Sequence, residues 1–138
     1  MDPIPETRIL LLARHQALKS GMQDAADQWP PELDALIAAP AQHRLLFEND
    51  SVRVIDTRIG PGEVVPIHTH CWPATYYVIA WSDIVRYDPN GNVENDTRSK
   101  PAPELGSAVW ANALPPHSVE NVGGKLLHII SVEIKKRA

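Results

Sequence analysis

His68-Thr69-His70 is the sharpest chemical feature of this 138-residue chain. In an extended strand, residues two apart point the same way, about 6–7 Å apart along the backbone. Two imidazoles on one face can therefore converge on a single metal ion at about 2 Å from each nitrogen. Such a pair arises by chance in many sequences, so by itself it is weak. A third histidine, His117, follows Pro115-Pro116 at the mouth of a later strand-like run. The prolines restrict how the chain approaches and hold the imidazole's position. The blander alternative is a histidine that satisfies a hydrogen bond at a turn.

Other side chains are weaker candidates. Cys71 follows His70 directly, so alternation aims it away from a metal, and packing is its expected role. Trp72 and Pro73 interrupt the strand and are candidates for a pocket rim. Of Tyr76 and Tyr77, one must face inward in a regular strand and could supply a phenol, although a buried tyrosine is more often core. His128 lies on an apolar face and reads as structural. His15 and His43 read as surface or junction residues, and Asn121 as a brace for the turn near His117.

The elements that must position these residues divide into two textures near residue 44. Before it, Ile9, Leu12, Ala13 and Ala17 fall on one side of a helix over residues 5–20, which Gly21 stops. A second helical piece starts at Pro30-Pro31-Glu32, carries Leu33, Leu36 and Ile37 at i, i+3 and i+4, and ends at Pro40. After residue 44, strands are expected at 52–59, 63–68, 75–81, 83–88, 107–112, 117–121 and 126–134. Gly60-Pro61-Gly62 and Asp88-Pro89-Asn90-Gly91 read as turns. Residues 90–106 read as a long polar loop, least structured over 92–100. The last strand has apolar residues in both alternating sets, so cover on both faces is expected. Many short strands with such turns argue a sandwich or barrel.

Here the chain resembles the cupin superfamily, in its small single-domain members. The first cupin motif places a glycine, five residues and His-x-His; Gly62, His68 and His70 fall in that register. The second places a glycine eleven positions before a histidine, then an asparagine after three more residues; Gly106, His117 and Asn121 match. The resemblance covers residues 44–135 and implies a mainly β, jelly-roll-type barrel. An N-terminal helical arm over 1–43 would precede a barrel domain over 44–138. It further implies one divalent metal (Fe, Zn, Ni or Mn; Cu also suits imidazole) on His68, His70 and His117. Where cupins carry a glutamate ligand, this chain has Ala74 or Thr75. The second motif's core proline and glycine are replaced by Asn112 and Leu114, and the first motif's closing glycine by Trp81 or Ser82. Three neutral ligands would leave the ion's charge uncompensated, favouring acidic bound water and anionic ligands. The family's three-histidine members include iron-dependent thiol dioxygenases, which also use a substrate-binding arginine. The sequence singles none out.

Composition narrows the partners. A formal charge of -4 and a pI near 5.8 argue against a broad basic surface for nucleic acid. No run reaches the roughly 20 apolar residues that span a bilayer. One cysteine permits no intrachain disulfide, and with no secretory pattern at the start, a cytoplasmic location is expected. The leading expectation is a metal-dependent enzyme on a small polar molecule, an oxygenase or an isomerase or lyase. A non-catalytic small-ligand module comes second, and an assembly role third. The resemblance and the last strand together imply a homodimer.

Overall fold

β-branched residues dominate Val52–Ile59, and the inward members of that run, Ile55 and Ile59, are buried as alternation requires. The computed structural model describes residues 28–135. The expected helix over residues 5–20, and His15 within it, lie outside the described residues.

Among the described residues, nine strands form two antiparallel sheets, so this part is mainly β as expected. In chain order they are β1 (His43–Glu48), β2 (Val52–Ile59), β3 (Val64–His70), β4 (Ala74–Ala80), β5 (Ile84–Tyr87), β6 (Val93–Asp96), β7 (Ala108–Ala111), β8 (Leu114–Asn121) and β9 (Leu127–Ile134). One sheet runs β1-β2-β9-β4-β7 and the other β3-β8-β5-β6. Between them lies an apolar cluster of Ala39, Ile59, Val65 and Leu127, extended by Trp81, Ile84, Val119 and Ile129.

Turn chemistry behaves as the sequence predicts. Gly91 takes φ +86° after Asp88-Pro89-Asn90, and its N–H donates to the Asp88 carbonyl at 3.0 Å. Gly62 and Gly106 also take positive φ, +79° and +80°. Gly62 precedes β3, which carries His68 and His70, and Gly106 precedes β7, the strand before β8, so both motif glycines sit where the backbone needs a positive φ.

Three expectations need correction. The second helical piece is broken: a 3-10 turn over Pro31–Leu33 ends at Asp34, and one helical turn, α1 (Ala35–Ala38), follows. Asp34 has φ -54° and ψ 141°, and its carboxylate caps α1 by accepting from the Leu36 N–H at 3.1 Å. Second, β1 was not anticipated, because His43-Arg-Leu-Leu-Phe-Glu lacks alternation and is exposed beyond its first residue. A shift in register between Leu45 and Phe47 spoils the period. Third, the stretch expected to be least structured contains β6, which pairs with β5 and is followed by a 3-10 turn over Thr97–Ser99. Its polar residues are used locally: Arg86 donates to Glu94 at 3.1 Å, and Asp96 caps the turn through the Arg98 N–H.

Asn121 closes the end of β8, as expected of a brace. Its Oδ1 accepts from Ser82 Oγ at 2.8 Å and the Gly123 N–H at 3.0 Å. Its Nδ2 donates to the Ile59 and Lys125 carbonyls, each at 2.8 Å. Being 1% exposed, it cannot exchange these partners for water. Asn121→Ala should therefore cost about 3 kcal/mol. Chemical denaturation of the two proteins measures it, and a loss within error of zero would remove the bracing role.

Candidate metal centre

His68 and His117 are direct cross-strand partners on β3 and β8. Their ring centroids lie 4.3 Å apart. His70, two residues on from His68, meets it edge-on at 4.9 Å and stands 5.6 Å from His117. The three histidines of the two sequence motifs are thus brought together. Pro66 is tolerated because β3 is an edge strand, and Pro115 and Pro116 lie where β8 has run past β5.

The prolines also set the imidazoles. The carbonyl of the proline two residues earlier accepts Nδ1–H in both cases: Pro66 O for His68 and Pro115 O for His117, each at 2.7 Å. A carbonyl can only accept, so the neutral ring must carry its proton on Nδ1 and keep its lone pair on Nε2. His70 is set likewise, with Nδ1–H donating to Glu133 Oε2 at 3.3 Å.

A fourth imidazole joins them. His43, expected at a surface or junction, is 5% exposed. Its centroid lies 4.8 Å from that of His68 and 5.4 Å from that of His70. Its Nδ1–H donates to the Ala39 carbonyl at 3.0 Å. It was missed because nothing local marks it: it begins an irregular edge strand, and only the folding of β1 against β2 turns it inward.

Glu133 sits in a buried ionic row. Arg53 on β2 and Glu133 on β9 are register partners, joined Nε to Oε1 at 2.7 Å. The same guanidinium reaches Asp34 at 2.8 and 3.1 Å. Burial works against the Arg53 charge, but the hydrogen bonds and charges of Asp34 and Glu133 outweigh it and hold the guanidinium protonated. Next to Glu133 across the sheet stands Ala74, one of the two positions where a glutamate ligand was missing.

The remaining candidates fall as follows. Tyr76 points inward on β4, half-buried, and burial raises its phenol pKa. Tyr77 alternates outward, is 50% exposed, and is therefore no pocket residue. Trp72 packs on the ionic row, with the Arg53 guanidinium 4.9 Å from its ring centre. Cys71 is buried and burial raises its thiol pKa, as packing implies. His128 pairs with buried Asp56 at 2.6 Å, outside the cluster. There burial works against the Asp56 charge, but hydrogen bonds from His128 and Arg44 win and lower its pKa.

The donor set fits a divalent transition metal. One donor nitrogen from each of His43, His68 and His70 lies within 4.8 Å of the others. Among the described residues, no hydrogen bond uses Nε2 of any of the four rings. Burial, then the neighbouring His70, lowers His43 to about 4, His68 to about 2 and His117 to about 3. At neutral pH these rings are uncharged ligands in waiting.

No protein-family model matches the chain, and no curated protein matches it. Solved structures do. A cupin domain from Bordetella pertussis Tohama I is 19% identical with a TM-score of 0.55, covering 68% of this chain and 92% of its own. A conserved double-stranded β-helix protein from Klebsiella pneumoniae is 21% identical with a TM-score of 0.49, covering 70% and 77%. An RmlC-like cupin from Methanocaldococcus jannaschii is 13% identical with a TM-score of 0.49, covering 67% and 78%. The chain has the cupin fold, a double-stranded β-helix. Among the described residues, no helix is long and apolar enough to cross a membrane.

Protonation of the cluster sets a pH dependence. The folded pKa values lie below the ordinary histidine value of about 6.5, so the unfolded chain binds protons first as pH falls. Stability of the metal-free protein is full above about pH 6.5 and drops below it, with a slope of up to about three protons. Denaturant midpoints at pH 7.5, 6 and 5 measure this; a flat profile would contradict the buried, neutral cluster.

Proposed function

We propose that the chain is a metal-binding cupin in which His68, His70 and His117 hold one divalent ion that serves as the catalytic centre for a small polar molecule. The observation that carries this reading is the set of buried imidazoles whose Nδ1 atoms are all committed to acceptors, leaving Nε2 for a ligand bond. When bound, the ion supplies Lewis acidity, acidified water and open positions for substrate. Dioxygenase-like, isomerase and lyase reactions all fall within that chemistry. Iron, zinc, nickel and manganese are the candidate ions.

The chain's own residues then bind and orient. Arg86 on β5 is the register partner of Val119, two residues from His117 on β8, and its Nε is paired with Glu94 at 3.1 Å. Arg86 is a candidate for the arginine that the sequence did not single out, and its remaining guanidinium N–H groups would hold an anionic group of the substrate. Tyr76 would offer a neutral phenol donor from the opposite sheet. A second reading, a non-catalytic ligand-binding module, draws on how closed the site is. His68 and His117 are each 2% exposed, and of the three only His70, 23% exposed at its side chain, is open to solvent.

Pairing of two copies belongs to the same proposal. The outer face of the five-stranded sheet presents Tyr77 and Trp110, 50% and 58% exposed. Sedimentation at the 15.3 kDa monomer mass at micromolar concentration would remove it.

Elemental mass spectrometry of the purified protein, beside a His68→Ala/His70→Ala/His117→Ala variant, tests the metal. Near-stoichiometric metal that disappears in the variant is the expected result, and the element found selects the chemistry. No metal in the protein, and none taken up on titration, would overturn the reading. Metabolites that bind the loaded protein by calorimetry without turnover would favour the module over the enzyme.

A further inference from the structure

We propose that His43 is a fourth imidazole donor to the same ion, so that metal binding ties strand β1 to β3 and β8. This rests on the metal-binding reading above and goes beyond its three-histidine set.

Four observations carry it. First, the histidines whose donor nitrogens cluster within 4.8 Å are His43, His68 and His70. In a tetrahedral set with bonds of about 2.1 Å the donors stand about 3.4 Å apart, so closing the widest pair onto an ion takes about 1.4 Å of movement shared between two rings; His117 joins through its ring contact with His68, 4.3 Å between centroids. Second, His43 is prepared as the motif histidines are. Its Nδ1–H is fixed on the Ala39 carbonyl, which orients the ring and leaves the Nε2 lone pair. That carbonyl also receives the backbone N–H of His43 at 3.2 Å and of Gln42 at 3.3 Å, so the whole turn is pinned.

Third, a carboxylate does not fill the fourth place. Ala74 and Thr75 stand where a glutamate ligand would have come from. The nearest acid on that row, Glu133, spends Oε1 on Arg53 and Oε2 on His70. Fourth, the His43 ring is 5% exposed and lies against the rings of both His68 and His70, so it is a fixed part of the cluster.

The consequence reaches the rest of β1. Among the described residues this is an edge strand paired only with β2, and its residues after His43 are exposed. Ligation at its first residue would anchor it from inside the barrel.

The test uses cobalt(II) as probe on the full chain. His43→Asn retains an amide N–H for the Ala39 carbonyl and removes Nε2; His43→Gln is the second variant. The expected results are near wild-type stability for metal-free His43→Asn and cobalt affinity weaker by at least about tenfold. Its visible cobalt spectrum should differ from the wild type, showing altered coordination. In wild-type protein, cobalt should slow amide exchange over residues 43–48. Proton NMR of the cobalt-loaded wild type should count four shifted, exchangeable imidazole N–H signals, a readout that needs no variant to fold. Equal affinity and spectrum in the variants, or three such signals, would overturn the role of His43 while leaving a three-histidine site intact. Wild-type protein that takes up no cobalt or zinc would instead bring down the metal reading, and this inference with it.

Discussion

The buried guanidinium of Arg53 is the constraint on which the rest of the structure depends. It is 6% exposed, on the inner face of β2, with Glu133 on one side and Asp34 on the other. A charge buried this far stays charged only because both carboxylates reach it, and removing one partner of such a pair costs about 3–5 kcal/mol. The group therefore dictates where three distant pieces of chain must lie. Asp34 has to break the second helix and cap α1, and β9 has to register Glu133 opposite Arg53. Glu133 then has one oxygen left over, which takes the Nδ1–H of His70. The ionic row is thus the support of one wall of the histidine cluster.

The other rings are supported by backbone carbonyls, at Pro66, Pro115 and Ala39. Carbonyl and carboxylate partners cannot donate, so four separate contacts impose one tautomer. That uniformity is what separates this cluster from histidines buried by accident of packing. Packing alone gives no reason for every unused nitrogen to be Nε2. Such neutral donors leave the charge of any divalent ion they hold uncompensated.

Much of the barrel was legible before any coordinates. Seven of the nine described strands were expected from their runs and turns, and the two motif glycines mark left-handed positions before β3 and β7. The Pro-x-His68 and Pro-Pro-His117 runs carried their message locally, because each proline holds the carbonyl that sets its own ring. β6 was hidden because a short polar strand is specified by its partner β5 rather than by its own residues. β1 was hidden by its register shift, and His43 with it.

The mainly β class, the turns and three of the four clustered imidazoles could be read from the residues alone, since these rest on interactions spanning a few residues: φ preferences, alternation and a carbonyl two positions away. That Glu133 meets Arg53 and His70, and that His43 joins the cluster, follows from the packing of the two sheets. Those contacts join residues up to 80 positions apart. They exist only because two sheets close over a core, where a buried charge or ring must find its partner in space.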